Sequence, residues 1–405
     1  MKKLCLHIVC LVLVVLPLAG FAQLDGTNEE QNKLPPVEID FLSSYYRQEG
    51  DNSAVTGGEG TEELKDYASK IKIFIPLKKD RSLNINSGIS YFTSASSDNI
   101  NPNTISSASA RDVHVDFNAT ITRTFEEKGF DYNVKLGIGH EAHFASFNAG
   151  FGGSKTIDKW QGRIGFSGHF YYDVWGQYYE LSKLYPNDYT GNDQLDTDKR
   201  YAAQLGISYQ QIFNKKLQGS ISVEAINQFG LLSIPFHRIY FMDDDDIDLE
   251  RLPDYKIRIP VAARLSYYVS DVFILRPFYR FYWDNFGLKG HTAAMEIPIR
   301  IHRFFSVYPQ YRIHYQYGHE YFAPKGQHSV NDIYYTSDYD VSDLTTHYFS
   351  CAIKWTPYFK NRNNRDNRLI FKNIQLQGGY YTRSDGFSSW LVSGGFSWSV
   401  LRKEK

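Results

Sequence analysis

Lys256-Ile-Arg-Ile-Pro-Val-Ala-Ala-Arg-Leu-Ser-Tyr-Tyr-Val269 alternates apolar and polar side chains with a period of two. Ile257, Ile259, Val261, Ala263, Leu265 and Tyr267 fall on one face, and Lys256, Arg258, Arg264, Ser266 and Tyr268 on the other. The next segments repeat the rule. Leu275, Tyr279, Phe281 and Trp283 alternate with Arg276, Phe278, Arg280, Tyr282 and Asp284. Met295, Ile297, Ile299 and Ile301 alternate with Glu296, Pro298, Arg300 and His302. Val307, Pro309, Tyr311, Ile313 and Tyr315 alternate with Tyr308, Gln310, Arg312, His314 and Gln316. Period-two alternation with arginine on the polar face describes strands that put lipid on one side and a wet lumen on the other. A soluble sandwich alternates as well, so the compartment has to come from elsewhere.

The N-terminus supplies it. Lys2 and Lys3 precede an apolar run from Leu4 to Leu18, and Gly20 and Ala22 are small residues at the −3 and −1 positions of a cleavage site before Gln23. This predicts a signal peptide over residues 1–22 and an extracytoplasmic protein. Cys10 follows Ile8 and Val9 rather than small residues, which argues against lipidation. No later run reaches the roughly 20 apolar residues of a helical span, and the mean hydropathy is −0.42. A membrane span must then be a closed barrel, because an open edge would leave peptide groups unsatisfied in hydrocarbon. Cys351 is the one cysteine beyond the signal, so neither a disulfide framework nor a cysteine metal site is available. The net charge of −1 excludes the basic footprint of a nucleic-acid partner. The 31 Tyr, 28 Phe and 6 Trp suit the aromatic girdles of a barrel in the outer membrane of a Gram-negative bacterium.

Turn signals between alternating runs predict an all-β, antiparallel, up-and-down transmembrane barrel of 16 strands, with 14 as the nearest rival. The strands begin near Val37, Ser69, Ser82, Val113, Phe130, Phe144, Trp160, Tyr201, Leu217, Lys256, Val272, His291, Phe305, His347, Ile370 and Phe387. Every connection longer than a dozen residues falls on the same parity, as long extracellular loops and short periplasmic turns require. The domain expectation is a signal peptide, a periplasmic tether over residues 23–36, a barrel over 37–400 and a short tail over 401–405.

Several motifs lie at the outer strand ends: Ile234-Pro-Phe-His-Arg-Ile-Tyr-Phe241, Glu250-Arg-Leu-Pro-Asp254, Phe281-Tyr-Trp-Asp284, His291-Thr292, Tyr321-Phe-Ala-Pro324, Tyr334-Tyr-Thr-Ser-Asp-Tyr-Asp340 and Arg383-Ser-Asp-Gly386. With Ser94 to Asp98 they resemble domain of unknown function 3570, an uncharacterised bacterial outer-membrane family, from about Ser87 to Val400. The resemblance implies a barrel-like architecture and no established activity. Association of that family with flavin-transfer and thioredoxin-like proteins further implies a role in extracytoplasmic redox or cofactor handling.

The polar face is where a solute would act. Lys256, Arg258, Arg264, Arg276, Arg280, Arg300 and Arg312 are expected on the inner wall with His314, opposed there by Asp284 and Glu296. Glu38, Asp40, Asp116, Glu141 and Glu224 enrich the other wall in acid, with Lys70, Lys72, Lys135 and Arg163 among them. A basic wall facing an acidic one sets up a transverse field that selects and orients polar solutes. The alternative is that these charges pair, Arg280 with Asp284 and Arg300 with Glu296, and only stiffen the barrel. His237, Arg238, His291, Asp338, Asp340 and Asp385 are expected at the extracellular mouth. The acidic loop Asp243, Asp244, Asp245 and Asp246, with His237 and His291, is the candidate for a divalent cation, though it lacks the glycine and closing glutamate of an EF-hand loop. His319 and His328 are further rim histidines that could meet Asp284, Asp338 or Asp340. No serine and histidine stand out as a catalytic pair, so no enzyme and no bound cofactor are expected. The functional expectation is a porin-like pore or binding lumen for a polar solute with an anionic part. The alternative is a non-conducting surface module or scaffold, with a surface or periplasmic protein, a metal or a redox system as its partner. The long link from Gly318 to Leu344 is the segment expected to fold inward.

Overall fold

A computed structural model describes residues 34–401, apart from 95–110, 142–143, 178–195, 235, 246 and 358–368. The expected signal peptide, all but three residues of the tether, most of the Ser94–Asp98 mouth segment, Asp246 and residues 402–405 lie outside the described residues.

Sixteen wall strands follow one another round a closed antiparallel barrel. They are β1 (Val37–Glu49), β2 (Leu64–Lys78), β3 (Arg81–Ser94), β4 (Arg111–Phe125), β5 (Phe130–Glu141), β6 (Phe144–Ile157), β7 (Gly162–Gln177) and β8 (Asp196–Asn214). Then come β9 (Leu217–Gly230), β10 (Tyr255–Tyr268), β11 (Ile274–Asp284), β12 (Lys289–Glu296 and Ile299–His302), β13 (Phe305–Tyr317), β14 (Leu344–Trp355), β15 (Leu369–Arg383) and β16 (Ser388–Val400). The two pieces of β12 count as one strand because both pair with β13. The interruption falls at Ile297 and Pro298, where proline has no N–H to give the ladder. The ring closes where β1 meets β16, from Val37 opposite Val400 to Glu49 opposite Ser388. No edge is left, as a wall in hydrocarbon demands.

At one end every fully described link is a turn of two to five residues, joined there by the longer link over 356–368, whereas the long links 50–63, 231–254 and 318–343 lie at the other end beside the short links 285–288 and 384–387. Gly230 closes β9 at φ +97°, and a Cβ there would stand 2.2 Å from the Lys199 carbonyl oxygen, so only glycine fits the corner.

The register fixes both faces of the wall. Ile138, Leu205, Ile207, Leu376, Trp390 and Val392 point outward, each more than half exposed. A water-soluble protein rarely shows so continuous an apolar exterior. Ring pairs such as Tyr201 stacked on Phe229 and Tyr380 tilted against Trp390 add aromatics to that surface. On the same outer face of β1 to β3, Ile73, Ile75 and Ile85 are buried by Val37, Ile39, Ile71 and Leu83. Cys351 is exposed on the outer side of β14 between Phe349 and Ile353. The wall is thus apolar outside and polar inside, the reverse of a soluble domain.

Candidate functional site

On β10 to β13 the even-numbered positions share the inner face. Arg258 stands opposite Asp284, Arg280 opposite Ala262 and Thr292, and Arg312 opposite Ala294 and Tyr348. Two guanidinium groups lie over rings, Arg264 over Phe278 at 5.3 Å and Arg312 over Tyr348 at 4.9 Å. These four residues share one row across the wall with Ala294 between the two pairs, Arg264–Phe278–Ala294–Arg312–Tyr348. A ring face attracts a guanidinium through its quadrupole without neutralising its charge.

The ion pairs differ from the expected ones. Glu296 pairs with Arg276 at 2.8 Å, directly across the ladder, rather than with Arg300. Asp284 pairs with Lys256 at 3.0 Å, not with Arg280. Asp284 is also 1% exposed and accepts the N–H groups of Phe286 and Leu288 and the Tyr282 hydroxyl. It therefore builds the tight turn after β11 and does not line free luminal space. Among the described residues Arg258, Arg264, Arg280, Arg300 and Arg312 form no ion pair, and the Arg258 Nε is buried without a partner. His314 is held by the Thr292 hydroxyl at 2.9 Å and the Gln316 side chain at 3.2 Å. Acidic groups on the other wall are mostly engaged: Glu38 with Lys372, Asp40 with Ser397, Glu224 with Gln204 and Glu141 with His114.

The outer ends carry a cap with its own core. Residues 50–63, 231–254, 285–288, 318–343 and 384–387 pack on one another, and Ile239, Phe286, Thr336 and Ser337 are each at most 1% exposed. The cap includes a hairpin of Arg238–Tyr240 with Ile247–Leu249. Backbone bonds between Arg251 and Tyr335 run both ways, and Met242 donates to the His328 carbonyl. The Gly318–Leu344 link does reach the lumen-facing strand ends, because Gln316 donates to the carbonyls of Asp340 and Ser342.

Inside the cap, His237 Nδ1 lies 3.5 Å from Glu250, which also accepts the Thr336 hydroxyl and the Ile234 N–H. Burial alone would lower the His237 pKa, but the Glu250 hydrogen bond and charge raise it overall. Burial would likewise raise Glu250, and His237, Thr336 and the Ile234 amide outweigh it and hold it down. Burial lifts Asp338 to about 6, against His237 and with Asp340. Burial lifts Glu62 to about 7 despite Arg383. Arg383 is 8% exposed and binds both Asp340 and Asp385. Burial and the nearby Lys256 depress His319 to about 4.

Of the mouth residues, His237, Asp338, Asp340 and Asp385 therefore meet in one network, and Arg238 lies in the hairpin beneath it. His291 does not join them. It points outward, with its Nδ1 2.7 Å from the Tyr279 hydroxyl and its ring 5.2 Å from that of Phe281. Its odd number already matched Met295 and Ile297 on the apolar face, a signal its chemistry obscured. Of the candidate cation loop, Asp246 lies outside the described residues. Asp243 is taken by the Ser329 hydroxyl and the Val330 amide, and among the described residues no three His, Cys, Asp or Glu side chains converge. Glu62, Glu250 and Arg383 were missed as members of the network, although Glu250 and Arg383 open two of the quoted motifs.

A family profile described as protein of unknown function (DUF3570) matches residues 92–369. The chain belongs to this family. No curated protein matches it. Among solved structures it is similar to a bacterial polysaccharide outer membrane secretin, at 9% identity over 92% of this chain and 100% of that one, with a TM-score of 0.48. It is also similar to CdiB from Acinetobacter baumannii, at 9% identity over 89% and 60% with a TM-score of 0.47. The outer membrane protein opdK from Pseudomonas aeruginosa aligns at 7% identity over 90% and 99%, with a TM-score of 0.40. This member of the DUF3570 family is an outer-membrane β-barrel, since its closed even-stranded wall is apolar outside and charged within.

Proposed function

We propose that this barrel takes a polar solute with an anionic part into its lumen, and that the cap governs entry from outside. The observation that carries the reading is the set of unpaired guanidinium groups, Arg258, Arg264, Arg280, Arg300 and Arg312, on one wall. Had the charges served only to stiffen the barrel, each would be expected beside a carboxylate, as Arg276 is beside Glu296. A cation held in a low-dielectric lumen without a partner attracts an anion more strongly than one in bulk water.

Single-channel recording in a planar bilayer tests this. The refolded protein should pass current in discrete steps with anion preference, and changing Arg264, Arg280 and Arg312 together to Ala should abolish the preference. A selectivity unchanged by that triple substitution would sink the arginine-wall reading. A folded barrel without current, in either form, would favour the second reading, a surface module acting through its cap. The packed core of that cap supports this second reading, because loops that merely fringe a pore need no buried Ile239 or Phe286.

A further inference from the structure

Next to the arginine wall, β5 to β9 line the lumen with small residues. Gly152, Gly165 and Gly206 sit on the inner face of β6, β7 and β8, where their lack of a Cβ lets Asn133, Ser208 and Ser167 lie over them, and together these residues line a recess of about 460 Å³. The groups around it are polar. Asn133, Ser167, Ser208 and Ser222 line the recess, half-buried, and among the described residues none of these four side chains has a hydrogen-bond partner. Glu224 also lines it and spends one carboxylate oxygen on Gln204 at 2.9 Å. Asp131, at the recess edge, is already neutralised by Arg163 and Ser154.

The recess and the arginines are tied by register. Ser222 pairs with Ala262, and Ala262 pairs with Arg280, so the two lie two strands apart, about 10 Å between Cα atoms. The short Ala262 side chain leaves the space between them open. An anionic group would be repelled from the recess by Glu224 and drawn to Arg280. A neutral body rich in hydroxyl groups would instead satisfy Ser222, Ser208 and the free Glu224 oxygen, which lie two or three strands from Arg280 and can each orient and select a donor or acceptor.

Resting on the proposed function, we infer that the solute is a hydroxyl-rich acid, a sugar acid in chemical class, with its anionic group at Arg280 and its polyol body in the recess. The class follows from two neighbouring surfaces with different demands, one for charge and one for hydroxyl groups. Two carboxylates separate those demands, glucuronate carrying the polyol body and acetate lacking it.

Isothermal titration calorimetry on the refolded full barrel in detergent, near neutral pH, reads both. Glucuronate is expected to bind at least about tenfold more tightly than acetate. Ser222→Phe, which fills the near end of the recess, and Ser208→Val, which nearly keeps the volume and removes the hydroxyl, should each cut that preference to within about threefold while acetate binding stays unchanged. Arg280→Ala should weaken both acids. If native protein binds the two acids equally, or if the preference survives both recess variants, the recess has no such role while the arginine wall still stands. If neither acid binds native protein, the proposed function falls and takes this inference with it. Retained heat-modifiable migration confirms that each variant is a folded barrel.

Discussion

Glu62 sits in the cap with one carboxylate oxygen buried and unpartnered, and its pKa is lifted to about 7 chiefly by that burial. A carboxyl raised above its unfolded value contributes stability fully below the unfolded pKa and loses it as pH rises through the folded one. Asp338, lifted to about 6, and His237, also raised, act in the same direction. His319 acts oppositely, being depressed to about 4, so its contribution is present above its unfolded pKa and is lost as pH falls toward 4. The cap is therefore expected to loosen as pH rises from about 5 to about 8, where three groups must lose protons they hold more tightly when folded. Hydrogen exchange at the Arg251 and Tyr335 amides, which bond the two main cap loops to each other, measures this as protection corrected for intrinsic rate. Glu62→Gln, which imitates the protonated group, should flatten the decline. A native cap whose protection is constant over that range, or a decline of the same size in the variant, would contradict the assignment.

Among the elements, β10 carries the most direct test of register. Ala262 faces the lumen opposite Arg280 and Ser222, and its neighbour Ala263 faces outward opposite Tyr279 and Ile221. Arginine on the lipid face near the bilayer midplane costs about 2–4 kcal/mol, whereas on the luminal face it meets water. Ala263→Arg should therefore destabilise the barrel by about that amount in equilibrium unfolding from bilayers, and Ala262→Arg by much less. Equal effects would mean that the strand is shifted by one residue, which exchanges every luminal and lipid-facing side chain. The period-two pattern made this register legible on β10 to β13 without coordinates. It could not show the pairing of charges, because Arg276 and Glu296 are neighbours only through the β11–β12 register, where sequence distance carries no information.

For the molecule as a whole, ring closure and capping answer different physical demands. Closure satisfies the backbone in lipid and follows from sixteen strands of adequate length. The cap follows from loop-to-loop packing, which brings residues 50–63, 231–254 and 318–343 together over the strand ends. If the cap limits passage, replacing residues 320–340 with a short Gly-Ser tie should raise single-channel conductance at least about twofold while the barrel still migrates as a folded species. Unchanged conductance would place the limiting constriction within the wall, among the arginines and their rings.

Alternation of side chains fixed which face each arginine of β10 to β13 occupies, and with link lengths and the N-terminal leader it pointed to a barrel of 16 strands with 14 as the rival. These depend on a local period of two and on link lengths, both written along the chain. Even His291 obeyed that period, and its outward position was readable from parity alone. Tertiary structure alone decided which charges remain unpaired, that Asp284 serves a turn rather than a solute, and that His237, Glu250, Asp338 and Arg383 share a buried network. It alone also opened the recess, because Gly152, Gly165 and Gly206 become one concavity only after three strands are set side by side in register. Contacts between residues far apart in sequence are set by how strands pair and how loops pack, and neither is encoded in any single stretch of the chain.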